Sequence, residues 1–118
     1  MTGEQFEISA GSSRAVITEI GAGLRAFESD GVPYLQTFPA DADRPPMGAG
    51  SVLVPWPNRV AGARWELCGK PQYLDVTEPD RGNAIHGLTR HQPWRAVMHE
   101  TARITMATDV PVQAGWPV

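Results

Sequence analysis

No window of about 11 residues or more in this chain carries a helical apolar repeat, and every apolar run is cut short by Gly, Pro, Asp or Asn. The 12 glycines and 11 prolines make up about a fifth of the 118 residues, against a usual combined share of roughly 12%. Such punctuation restricts the chain to short elements joined by turns. The runs between the breaks are rich in β-branched residues, which suit a pleated surface. Arg14 to Ile20 sets Val16, Thr18 and Ile20 on one side of a strand, Leu24 to Glu28 resumes the run, and Ser29-Asp30-Gly31 gives a tight-turn signal before Val32, Tyr34 and Leu35. Further strands are expected at Arg64 to Cys68, Gln72 to Val76, Trp94 to His99 and Arg103 to Thr108. Short strands without intervening helices predict an all-β antiparallel sandwich or barrel. The longer stretches Gln36 to Gly50 and Thr77 to Pro93 are where binding groups are expected, since function concentrates on loops held by a rigid sheet.

Composition narrows the function. A hydrophobic content of 42% allows one modest core, and four Trp, three Phe and two Tyr argue against disorder. With a net charge of -3, the chain offers no basic field for nucleic acid or an anionic membrane. Cys68 is the only cysteine, so neither a disulfide framework nor a thiolate zinc site is available, and a reducing, cytoplasmic setting is expected. The start, Met-Thr-Gly-Glu-Gln-Phe, has neither the basic end nor the apolar stretch of a signal peptide or membrane span. His86, His91 and His99 lack the spacing of a metal motif, so no metal is expected.

Two segments carry possible chemistry. In Gly48 to Arg59, Pro55 and Pro57 bias Val54 and Trp56 toward extended backbone, predicting a stiff segment at a sheet edge. It would hold Asn58 and Arg59 in place, and a guanidinium's planar fork can grip vicinal hydroxyls or a carboxylate. Trp56 could form an aromatic platform; the plainer alternative makes it a core aromatic and Arg59 a surface arginine. In Asn83-Ala84-Ile85-His86-Gly87-Leu88, apolar neighbours anchor the loop, and Gly87 permits a sharp turn or close approach of a ligand after the imidazole. His86 is then a candidate for oxygen recognition or proton transfer, beside the alternative of a structural histidine. Glu78, Asp80 and Arg81 read as solvated turn formers rather than a catalytic carboxylate pair. The paired glycines at Gly21, Gly23, Gly48 and Gly50 do not lead into a helix, so no phosphate-cradling loop is indicated.

Val54-Pro55-Trp56-Pro57-Asn58-Arg59, with Gly62 and Trp65 after it, and Ala84-Ile85-His86-Gly87-Leu88 followed by Trp94, together resemble the N-terminal portion of the aldose 1-epimerase (galactose-mutarotase-like) family. The resemblance runs from about Ile17 to the end, where Gly115-Trp116-Pro117 looks like the family's step into a further strand. It implies that residues 1-118 are the N-terminal part of one large antiparallel β-sandwich domain with the sugar in an open cleft. The implied reaction interconverts the α and β anomers of a free aldohexose such as galactose or glucose, without cofactor. Arg59 corresponds to the substrate-gripping arginine with Asn58 beside it, and His86 to the first active-site histidine. The family's second histidine and its glutamate, the usual acid and base, lie downstream of this chain; His91, His99, Glu78 and Glu100 do not sit in matching motifs. The chain is therefore expected to hold half of a site and to associate with a second copy or a complementary C-terminal chain along Arg103 to Thr108. The alternatives are a non-catalytic carbohydrate-binding module and an inactive fragment. A sugar-phosphate epimerase would want extra basic residues around the cleft.

Overall fold

The structure, a computed structural model, describes residues 1-118. Ten strands follow in order: β1 (Gln5–Ala10), β2 (Ser13–Thr18), β3 (Leu24–Ser29), β4 (Val32–Pro33), β5 (Arg59–Val60), β6 (Arg64–Leu67), β7 (Lys70–Tyr73), β8 (Ala84–Ile85), β9 (Arg95–Glu100) and β10 (Arg103–Ala107). Only three single-turn 3-10 segments interrupt them, and every strand pair is antiparallel. No helix is long and apolar enough to cross a membrane. The chain divides into two compact units, Met1–Val52 with Thr89–Thr108, and Leu53–Leu88 with Asp109–Val118.

The first unit is built on a four-stranded meander, β1-β2-β3-β4. Asp30 and Gly31, at φ 51° and 74°, make the β3–β4 turn; both central residues lie in the left-handed region that a right-twisted two-residue hairpin needs. Val16, Ile17 and Thr18 are buried in succession, so β2 is covered on both faces rather than alternating in and out. Phe6, Ala26 and Phe38 complete this core. Thr18 is fully buried yet satisfied: its hydroxyl donates to the Ile20 carbonyl (2.9 Å) and accepts from the Gly23 amide (3.1 Å), as a polar group in such a place must. The β9–β10 hairpin, bulged between Thr105 and Met106, is tied to the meander by Ser9 N–H to the Thr101 carbonyl (2.6 Å). His99 Nε2–H donates to the Glu7 carbonyl (2.8 Å), with its ring edge-on to Phe6. β1 falls outside the sequence-based expectation, although Phe6 and Ile8 alternate with polar neighbours there.

The second unit has less regular structure. It holds the β6–β7 hairpin and the two-residue ladder β5–β8. Its core is small in residues and large in ring area: buried Ala63, Leu74 and Ala84 support Trp56, Val60, Trp65 and Trp116. Trp116 stacks at a tilt on both Trp56 (ring centroids 5.4 Å apart) and Trp65 (4.9 Å), distances at which offset aromatic pairs attract. Trp65 Nε1–H donates to the Gly115 carbonyl (2.8 Å), which ties the segment around Gly115 to β6. The β7 strand begins and ends earlier than the expected Gln72 to Val76, because Cys68-Gly69 supply the positive-φ turn and set the register.

Candidate functional site

The second unit brings Asn58, Arg59 and His86 together. From Ser51 through Asn58 the chain enters no ladder, and the Val54–Pro55 peptide is cis. The stiff segment expected at a sheet edge thus leads into a ladder without joining it: with two prolines lacking N–H groups, pairing begins only at Arg59, opposite Ile85. Asn58 (φ 60°) and His86 (φ 64°) both occupy the left-handed region, which Asn and His tolerate better than most side chains. The two residues lock each other there. His86 N–H donates to the Asn58 carbonyl (2.9 Å), and Asn58 N–H donates to His86 Nδ1 (3.0 Å). Because a backbone amide can only donate, Nδ1 must be the unprotonated nitrogen, and the neutral ring carries its hydrogen on Nε2. His86 is thus held in one tautomer and one orientation by the chain itself.

Gly87 makes the sharp turn that was one of the two expectations for it. At φ 74°, a Cβ there would collide with the Val54 carbonyl, while Leu88 N–H donates to that same oxygen (2.7 Å). The glycine lets the histidine loop lie against the proline segment. Thr77 braces the other side, its hydroxyl accepting from Ile85 N–H (2.9 Å).

Arg59 is clamped. Its Nε donates to Glu78 Oε2 and its Nη2 to Glu78 Oε1, both at 2.7 Å, a bidentate fork that fixes the guanidinium plane. Asn83 Nδ2–H donates to Glu78 Oε2 (3.0 Å), and Asn83 Oδ1 accepts from Gly62 N–H (3.2 Å). The Arg59 hydrogen bonds, followed by that from Asn83, hold the Glu78 carboxyl down at about 2. At neutral pH Glu78 is a permanent anion that orients Arg59 rather than a base that takes protons. This corrects the reading of Glu78 as a solvated turn former: its side chain is 20% exposed, against 65% for Arg81 in the same turn. Local pattern gave no signal for the pairing, because the partner arginine is 19 residues away.

Trp56 packs against the buried cluster of Ala63, Leu74 and Ala84. Its ring packs on Trp116 within the aromatic cluster, and its buried Nε1–H has no hydrogen-bond partner. No bond joins it to Asn58, Arg59 or His86.

The all-antiparallel β fold has counterparts among solved structures. The family model for aldose 1-epimerase matches residues 4–118, and the chain belongs to that family. Escherichia coli K12 YihR, itself uncharacterized, is 29% identical over 117 residues, a match that covers 98% of this chain and 37% of the relative. The solved GalM/aldose epimerase homologue of C. elegans superposes with a TM-score of 0.79 at 15% identity, over 96% of this chain and 38% of that one. A galactose mutarotase-like protein of Clostridium acetobutylicum gives a TM-score of 0.65 at 24% identity, over 80% and 31%. The fold is therefore of the galactose-mutarotase type, and the chain spans a little over a third of the length of the relative YihR.

Proposed function

We propose that the protein takes part in interconverting the α and β anomers of a free aldohexose such as galactose or glucose, with this chain supplying groups that hold the sugar. The observation that carries this reading is the Asn58–His86 interlock beside the Glu78-clamped Arg59. Orientation set before the ligand arrives is what makes hydrogen bonds to a polyol effective, because little entropy is lost on binding. Arg59 would present its remaining N–H groups to adjacent hydroxyls, and His86 the Nε2–H edge to a sugar oxygen. In the reaction the anomeric hydroxyl loses its proton as the ring oxygen gains one. The bond between C1 and the ring oxygen breaks to give the open aldehyde, rotation about C1–C2 exposes the other face, and the ring closes again. Each proton transfer is worth about 10²- to 10⁴-fold.

Two further points support the setting. Cys68 is free and exposed, which suits a reducing cytoplasm. β10 pairs with β9 alone, leaving an edge to which a second copy or a complementary chain can add. Polarimetry on freshly dissolved α-glucose and α-galactose, with a full-length form that includes the family's downstream acid and base, tests the reading. Acceleration over buffer is expected, reduced about tenfold or more in Arg59→Gln by loss of charge-assisted bonds. Sugar binding without any acceleration would instead make the protein a carbohydrate-binding module.

A further inference from the structure

The first unit contains a cavity of about 290 Å³ walled by Arg44, Gly48, Ser51, Arg90 and His91 together with uncharged Pro45 and Met47. Its electrostatics run against the chain as a whole. The protein carries a net charge of -3 with 13 acidic residues, yet no carboxylate lines this cavity. Some arginines elsewhere are compensated: Arg14 pairs with Glu7 and Glu28, and Arg59 and Arg81 with Glu78. Arg44 and Arg90 have no carboxylate within ion-pair distance. Two arginines lining one space with no carboxylate beside them leave positive charge uncompensated there, and an anion placed between them offsets it.

Both walls are stiff. Pro45 and Pro46 follow Arg44 directly, and the turn beyond is closed by Gly48 N–H to the Pro45 carbonyl (3.2 Å) and Ser51 N–H to the Gly48 carbonyl (3.2 Å). Leu24 N–H to the Gly50 carbonyl (2.9 Å) pins that turn to β3. Across the cavity, Arg90 and His91 follow the fully buried Thr89, whose carbonyl accepts from Trp94 Nε1–H (3.1 Å), and Gly21 N–H holds the Gln92 carbonyl (2.9 Å). The arginine stems thus start from fixed backbone, the arrangement that loses least order on binding.

We infer that this cavity is a binding site for a phosphate- or sulfate-type oxyanion, gripped by Arg44 and Arg90 with His91 and Ser51 as further donors. Arginine forks match tetrahedral oxyanions bidentately, and the space exceeds what one such ion fills, so the group can be free or carried on a small organic molecule. The site does not depend on the epimerase reading and uses none of its residues. His91 supplies an internal check. Desolvation in the cavity wall, then Arg90 and Arg44, push its ring toward the neutral form. These two arginines are the only charged groups that line the cavity with it, so a bound dianion must shift His91 back upward.

The test is a titration of the 118-residue protein, followed by backbone-amide and imidazole NMR, with sodium sulfate, glucose 6-phosphate and glucose at constant ionic strength. Sulfate keeps its charge across the pH range of histidine, so a rise in the His91 midpoint on saturation reports the site alone. Saturable shifts at Gly48, Ser51, Arg90 and His91 with sulfate and glucose 6-phosphate, and none with glucose, are expected. Equal affinities would identify the free oxyanion as the ligand, and tighter glucose 6-phosphate binding an esterified one. Arg44→Gln and Arg90→Gln each weaken binding about tenfold or more, while Arg90→Lys, which keeps the charge and loses the fork, weakens it less. Arg103→Gln, which removes an arginine outside the cavity, leaves binding unchanged. Linear shifts without saturation, or an Arg103→Gln loss as large as that of Arg90→Gln, would overturn the proposal.

Discussion

The two units of the chain are ordered by different means. In the first, order comes from paired strands: six-residue β1, β2 and β3, with Val16 and Ile17 buried in the middle strand and a single register shift between those two residues where β2 meets β3. In the second, strands shrink to two or four residues, and order comes from side-chain-to-backbone bonds, close backbone approaches and three stacked tryptophans. The candidate sugar groups all lie in the second. A regular ladder dictates where each side chain points, two by two, whereas an irregular path can turn Asn58 and His86 toward each other against the usual backbone preference. The cost is that such a path tolerates little change in its backbone.

The comparison can be broken most directly at Gly87. Gly87→Val adds a branched side chain where the Val54 carbonyl already sits and where φ is positive, so a loss of about 3 kcal/mol or more is expected, with unfolding of the tryptophan cluster followed by near-ultraviolet circular dichroism. Retained tryptophan signals in that variant would show that the second unit is as forgiving as the first. The matching change in the first unit, Val16→Ala at 2% exposure, opens a cavity without disturbing the ladder. It should cost about 2 kcal/mol in denaturant unfolding with unchanged strand content.

Those expectations rest on features that differ in how plainly sequence displays them. The meander was legible: β-branched residues and the Asp30-Gly31 turn gave β2, β3 and β4, and β9 and β10 lie within a residue or so of where alternation puts them. β1 was not, since Phe6 is its only buried residue and nothing but alternation marks it. The site was half legible. Asn58, Arg59 and His86 stand out as motif residues, but the amide-to-imidazole bond depends on two positive-φ positions that no propensity predicts. Glu78 escaped for the same kind of reason: pattern reads neighbours, and its partner is 19 residues distant. Trp56, read as a platform or as a core aromatic, is half-buried and stacks on Trp116, a neighbour too distant in sequence for local pattern to reveal.

Smaller effects sharpen the contrast within the second unit. Trp65→Phe removes the bond to the Gly115 carbonyl and should cost about 1 kcal/mol beyond the lost ring area, whereas Trp56→Phe deletes a buried donor that has no acceptor and should cost less than Trp65→Phe. Paired thermal melts would compare them, and equal losses would mean that ring packing alone matters. The smallest effect is expected from Glu78→Gln, because its partner Arg59 is 40% exposed and solvent screens the pair. Its signature is in the pH dependence. The Glu78 carboxyl sits at about 2 when folded and near its ordinary 4.5 when unfolded, so its contribution is whole above about pH 5 and is lost as pH falls toward 2. The gap in melting temperature between Glu78→Gln and the parent should therefore be present at pH 7 and close as the pH approaches 2.

The way the chain threads through its two units sets a timetable for its folding. Met1–Val52 belongs with Thr89–Thr108, and Leu53–Leu88 with Asp109–Val118, so each unit is interrupted by a piece of the other. A ribosome releasing this chain delivers the meander first, yet Ser9 and Glu7 must wait for Thr101 and His99 to bond with them. Trp65 likewise waits for Gly115. Contacts between residues far apart in sequence form slowly, because long loops must close before they are rewarded. Until Thr101 and Gly115 have emerged, the nascent polypeptide therefore leaves β1 and Trp65 without these partners. Neither unit exists as a continuous stretch that could be cut out and expressed alone, so truncation from the C-terminal end should remove the Trp116 stack before it disturbs the β9–β10 hairpin.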